Sequence, residues 1–414
     1  MFGFTRNVLT CVPRKRTAVT THTHTHADEG GFNNIRMAFE TAVALAVSTG
    51  RILVLPPKMG FYLLTNEEKK KRTHFGFTDF YDLDAIAAQR PGLQIMPFRE
   101  FLETEVMKGG LRHRQTGKIT FPPDNRTDWD GFTMNMLTFR EARGGRVLWD
   151  WLRNATLTVD WDPRECIAGI PDRPGPEGVA DVLRTFEMVQ EQDERRKENI
   201  PFNAIPVWKN RMYSFDGNPT PVDGSPDLRM SEMLANRNKL CLYDEDFQNA
   251  KVIHVQGEQQ SGSRMLIHHY AFLYYQSWKQ QIWMQRLIRD QFRYKDEIQC
   301  AAARIVKVMQ TISRQIHGPE SDGTFDTMHI RRGDFQFSAM WVSADNIYQL
   351  NTRNMIQDGR VVYIATDEKE KSFFRPLQEH YYVYFLDDFK HLLKGIDAHY
   401  YGKIEMSYMQ ETFI

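Results

Sequence analysis

Apolar positions occur in short blocks separated by polar loops, and the blocks change period along the chain. Residues 35–49 carry apolar side chains on nearly every side, which predicts a well-buried helix. Gly50 is a natural C-terminal stop for it. Residues 52–55 are wholly apolar and closed by Pro56-Pro57, the pattern of a strand covered on both faces. Loop, buried helix and buried strand make one α/β unit. Residues 58–250 are less regular. An aromatic and acidic stretch covers 75–84, and 124–162 holds four of the eight tryptophans. Loops are predicted at 171–176 and 217–226, with a charged helix over 181–198. A strand follows at 251–255. Residues 266–316 read as mostly helical, amphipathic around 297–309, and strands are expected at 325–330, 361–365 and 382–386. The pattern predicts two α/β domains, 30–250 with long insertions and 251–414, after an unstructured segment 1–29. Within that segment Thr21 to His26 alternates Thr and His. On a strand this would align His22, His24 and His26, but low-complexity sequence gives the same pattern.

Composition narrows the function without fixing it. At 414 residues and 41% apolar content the chain can bury two cores. Lys plus Arg equals Asp plus Glu at 53 each, so nothing favours a nucleic-acid partner, and any anion site must be a local constellation. Cys11, Cys166, Cys241 and Cys300 lie too far apart for metal-ligand spacing; disulfides and buried thiols both remain open. Asn125-Arg126-Thr127 and Asn154-Ala155-Thr156 are glycosylation sequons. No apolar run reaches the ~18 residues a spanning helix needs, and the first ten residues lack a signal-peptide core.

Three motifs carry candidate chemistry. His329-Ile330-Arg331-Arg332-Gly333-Asp334-Phe335 lies where an apolar strand gives way to a loop. Ligands of open α/β sheets bind beyond such strand ends. An arginine there can grip a diphosphate with a planar fork and stabilise the charge of a departing nucleoside diphosphate. An Arg–Asp surface turn has the same composition. Gly30-Gly31-Phe32-Asn33-Asn34-Ile35-Arg36 opens the first helix, where glycines allow close approach and free N–H groups face an anion; an ordinary turn reads alike. Ala365-Thr366-Asp367-Glu368 ends another strand and suits either a base and ribose or a helix cap. Asp-x-Asp triplets at Asp82–Asp84, Asp128–Asp130 and Asp160–Asp162 could hold a divalent ion, but in a chain with this many acids they read as loop and capping acids.

Taken together, in this order and spacing, the three motifs resemble the GDP-fucose protein O-fucosyltransferase superfamily over about 30–57, 286–337 and 361–402. The resemblance implies a GT-B-like fold, α/β with two Rossmann-like domains facing across a cleft. It implies GDP-fucose as co-substrate, inversion at the anomeric carbon, a protein Ser/Thr hydroxyl as acceptor, and no cofactor or required metal. The domain 30–250 would then be the acceptor side and 251–414 the donor side. By motif position Arg331 would hold the β-phosphate and assist departure of GDP. His329 and Asp334 would lie on the nucleotide, Thr366 and Asp367 would line its pocket, and Asn34 would reach in from the N-terminal domain. Gly31, Asn33, Arg36, Arg332 and Phe335 complete the donor-side set. The general base is unassigned, with Glu29, Asp79, Asp82 and Asp84 as neighbouring acids. The resemblance also implies the lumen of the secretory pathway, ER or Golgi. Where the family has a strand before the glycine turn, this chain has its Thr-His run, and it stops before the family's phosphate-contacting C-terminal segment. It therefore reads as a member incomplete at both ends, without a membrane anchor. A glycan acceptor, or GDP-sugar binding without catalysis, are the alternatives.

Overall fold

A computed structural model describes residues 18–22, 32–56, 76–89, 93–108, 111–112, 117, 152, 154–159, 161–199, 225–234, 237–256, 267–332 and 341–393. They form a mixed α/β protein whose strands pair in parallel, dividing into two compact units. One comprises the described residues up to Arg293 except Asp79–Tyr81; the other takes Asp79–Tyr81 and Tyr294 onward.

The first unit opens with β1 (Ala18–His22), α1 (Phe32–Thr49) and β2 (Ile52–Val54). Ile35, Ala38, Phe39 and every residue from Ala42 to Ala46 are buried, as an all-round apolar helix requires. Gly50 adopts φ +65°. Its N–H donates to Val47 O at 3.2 Å and that of Arg51 to Ala46 O at 2.9 Å. This pair of bonds is a Schellman termination, which the absence of a Cβ permits. β3 (Gln94–Met96), β4 (Leu157–Val159) and β7 (Val252–Gln256) complete a five-stranded sheet of order β3-β2-β1-β7-β4. A second parallel sheet has order β6-β5-β8, from β5 (Cys166–Ile170), β6 (Lys239–Leu242) and β8 (Leu273–Tyr275). The helix Pro176–Asn199 links β5 towards β6, and Val182 and Val189 from it join Ile167 in one core cluster.

Two sequence expectations are corrected here. Residues 1–29 are not wholly unstructured: β1 is the central strand of the first sheet, with Ala18 opposite both Ile52 and Val252. Its Val and Thr residues suit a pleat, but the pairing partners that make it a strand lie far along the chain. His24 and His26 fall outside the described residues. The boundary at 250/251 moves to 293/294, because β7 pairs with β1 and β8 with β5 inside the first unit. β8 also interrupts the stretch 266–316 expected to be mostly helical.

The second unit is a three-stranded parallel sheet of order β11-β10-β9, from β9 (Asp326–Ile330), β10 (Val361–Thr366) and β11 (Tyr382–Tyr384). The amphipathic helix Asp296–His317 buries Ile298, Ala301, Ile305, Met309 and Ser313 and packs against β10. Helix Ala344–Leu350 lies between β9 and β10, the crossover that parallel pairing demands. Met328, Val362, Ile364, Phe374, Leu377, Tyr381 and Phe385 share one core cluster.

Candidate functional site

The register of β9 on β10 puts the two sequence motifs side by side. Thr366 pairs with Ile330 and Ala365 with His329, so Arg331-Arg332 and Asp367-Glu368 leave the sheet together at its C-terminal edge. The strands end there by local chemistry: Thr366 Oγ1 accepts the Glu368 N–H at 3.0 Å, turning the chain out of the sheet.

The two arginines are held differently. Arg331 is about one-quarter exposed at 27%, with its Nε 3.8 Å from Asp367 Oδ2. Arg332 is bound on several sides. Its backbone N–H donates to Asp367 Oδ1 at 2.6 Å and its Nε to Glu368 Oε2 at 3.0 Å. Its Nη1 donates to Val342 O at 3.3 Å. The guanidinium carbon stands 3.7 Å from the Phe373 ring centroid and 5.3 Å from that of Trp341. Glu368 lies below the usual carboxylate range, chiefly because its side chain accepts the Glu370 N–H, with Arg332 adding to the effect. Lys371 donates to Glu368 O at 2.5 Å, and its ammonium stands 3.7 Å from Asp387 Oδ2, just past the end of β11. His329 is exposed on one side. Desolvation by the surrounding protein pulls its pKa below the ordinary value; Asp367 opposes this and Arg331 reinforces it. This favours the neutral imidazole, which can both donate and accept.

The second unit thus gathers His329, Arg331, Arg332, Thr366 and Asp367. Gly31, Asp334 and Phe335 lie outside the described residues. Asn33 and Asn34 fall in the first turn of α1, with side chains outside the description, and belong to the first unit. So does Arg36, whose Nε donates to Glu40 Oε1 at 2.7 Å. Sequence reasoning missed Phe373, Trp341 and the Val342 carbonyl, for which no local signal exists, and left Glu368 without a role although it stood in the motif.

The sequence model of the GDP-fucose protein O-fucosyltransferase family matches residues 24–407. The chain belongs to this family. That is a glycosyltransferase family, so the strand-end arginines sit on a scaffold used for sugar transfer. No curated protein matches the chain. Among solved structures it is similar to a crystal structure of the apo form of POFUT1, at 10% identity and a TM-score of 0.29, covering 89% of this chain and 84% of that one.

Other sequence candidates resolve into local roles. Asp82 Oδ1 accepts the Ala85 N–H at 3.2 Å, a capping contact. Asp162 is gripped by Arg164, whose Nη2 donates to it at 2.6 Å, and this contact holds its carboxyl below the usual range. Asp128, Asp130 and Asp160 lie outside the described residues. Cys166 and Cys241 form a disulfide between β5 and β6, while Cys300 is a free, exposed thiol. No helix among the described residues is long and apolar enough to cross a membrane.

Proposed function

We propose that this protein transfers fucose from GDP-fucose to the hydroxyl of a protein serine or threonine, with inversion at the anomeric carbon. The observation that carries the reading is the place of Arg331: in a chain of this family, it stands at the C-terminal edge of a parallel sheet, its Nε 3.8 Å from Asp367 Oδ2. In the reaction the acceptor oxygen bonds to the anomeric carbon as the bond from that carbon to the β-phosphate oxygen breaks. GDP departs with the electron pair, and the acceptor's proton leaves to a base. Arg331 answers the negative charge that grows on the leaving phosphate. By motif position His329, Asp334, Thr366 and Asp367 would bind the nucleotide. The Cys166–Cys241 disulfide supports work in an oxidising lumen, ER or Golgi.

Charge supplied by Arg331 makes a cation dispensable, so turnover of GDP-fucose is expected to persist in EDTA. Arg331→Lys keeps the charge but loses the two-point grip, and should lower kcat by roughly 10²-fold with a smaller change in GDP affinity. Donor turnover with protein, glycan and water as acceptors, alongside calorimetric GDP binding, checks both points. Activity abolished by EDTA and restored by Mn²⁺ would transfer the role to a metal. Transfer only to glycans would redirect the acceptor assignment, and GDP binding without turnover would make the protein a binder.

A further inference from the structure

We infer that Arg332 does not hold the donor but is a positioning residue that fixes Arg331. This deepens, and rests on, the donor-site reading above. Three observations carry it. First, two donors of the Arg332 side chain are engaged inside the protein: Nε on Glu368 at 3.0 Å and Nη1 on the Val342 carbonyl at 3.3 Å. Secondly, the Phe373 ring covers its guanidinium at 3.7 Å, with Trp341 at 5.3 Å. A planar cation fits such a stack, whereas an ammonium does not. Thirdly, its backbone N–H is bonded to Asp367 Oδ1 at 2.6 Å, and the other oxygen of the same carboxylate faces Arg331 Nε at 3.8 Å.

Asp367 therefore meets both arginines, one through the main chain and one through the side chain. The Arg332 side chain in turn ties the end of β9 to Glu368 and Phe373 beyond β10, and to Trp341 and Val342 before the next helix. Anchoring the residue next to Arg331 on these groups restricts the main chain from which Arg331 projects. A catalytic charge works best when it need not reorganise during reaction, so the rigidity belongs to the function as well as to the fold.

The test is a double-mutant cycle with readouts that separate positioning from contact. Arg332→Lys should lower kcat by about 10-fold or more while GDP affinity changes less than about 3-fold. Combined with Arg331→Lys it should cost little beyond the Arg331 change alone, because it acts through that side chain. Phe373→Leu, which removes the stack but leaves both arginines, should reproduce the Arg332→Lys profile. In the unliganded full chain labelled with ¹⁵N-arginine, the Arg331 Nε–H signal, identified by its loss in Arg331→Lys, should shift or broaden in Arg332→Lys. GDP affinity falling in step with kcat/KM, with additive losses in the double variant, would mean that Arg332 grips the diphosphate itself. Lowered thermal stability with unchanged kcat and an unchanged Arg331 signal would reduce it to a structural arginine; either result defeats the inference. An unaltered protein that binds no GDP would instead refute the functional reading, while the Arg331 signal still decides the positioning role.

Discussion

At the scale of single residues, burial decides which side chains can still act. Arg51 is 2% exposed and donates to Tyr243 Oη and to the carbonyls of Phe247, Gln248 and Ala250, closing the end of the short helix Glu245–Asn249. Its charge is consumed by helix carbonyls. His269 is 4% exposed, and neither ring nitrogen has a hydrogen-bond partner. Burial first, and the neighbouring His268 second, pull its pKa from the ordinary 6.5 to about 4. The folded protein thus keeps His269 neutral while the unfolded chain binds a proton below 6.5, so stability is lost as pH falls from 6.5 towards 4. The term reaches at most about 3 kcal/mol. His269→Phe should flatten the pH dependence of urea unfolding in that window and cost little at pH 7.5, since it also removes unsatisfied nitrogens. Identical pH profiles for variant and parent would rule out this protonation as a contributor.

Between elements, a close constraint lies where the helix Pro176–Asn199 packs on β5. A Cβ on Gly169 would stand 2.8 Å from Val182 Cγ1 and 3.0 Å from Leu240 Cδ1. Val182 has little room to yield, because it is fully buried in the cluster of Ile167, Met230 and Tyr274, whereas Leu240 is only partly buried. Gly169→Ala is therefore expected to destabilise the protein by about 1–3 kcal/mol through overpacking. The conservative strand-favouring Ile167→Val should cost about 0.5–1.5 kcal/mol, a smaller cavity effect. Chemical denaturation of both variants ranks them, and an unaffected Gly169→Ala protein would show that the helix can lift off the strand freely. The same element explains a gap in the sequence reading. β5 is buried at all five positions, yet its Cys-Ile-Ala-Gly-Ile sequence is too short to stand out beside the long charged helix that follows.

For the whole molecule, the first unit carries two parallel sheets and the second one, and the described cysteines are distributed unevenly between the units. The Cys166–Cys241 bridge spans 75 residues and joins adjacent strands of the first unit. Closing a loop of that length stabilises the folded state by about 4 kcal/mol in the chain-entropy estimate. Mass spectrometry of a non-reduced digest should find the two peptides linked and Cys300 free to alkylation. Cys166→Ser/Cys241→Ser should raise hydrogen exchange in β5 and β6 and leave β9 to β11 unchanged. Recovery of both cysteines as free thiols from protein secreted by a eukaryotic host would contradict the bridge and remove a support for the lumenal assignment.

What the sequence by itself determined was local. The all-round apolar stretch ending in Gly50, the apolar run after it, and the strand ends bearing Arg331 and Asp367 were all legible, because periodicity, a glycine stop and motif order are written within a few residues of one another. The amphipathic helix Asp296–His317 was legible for the same reason. Tertiary structure alone decided the rest. β1 is a central strand only because β2 and β7 flank it, and no property of Ala-Val-Thr-Thr-His announces that. The unit boundary moved past β7 and β8 because partners distant in sequence recruit those strands to the first unit. The difference between Arg331 and Arg332, adjacent and chemically identical, was likewise invisible in the motif. The setting of Arg332 comes from Phe373, Trp341 and Glu368, which only the folded chain brings around its guanidinium, since side-chain surroundings follow from packing rather than from order along the chain.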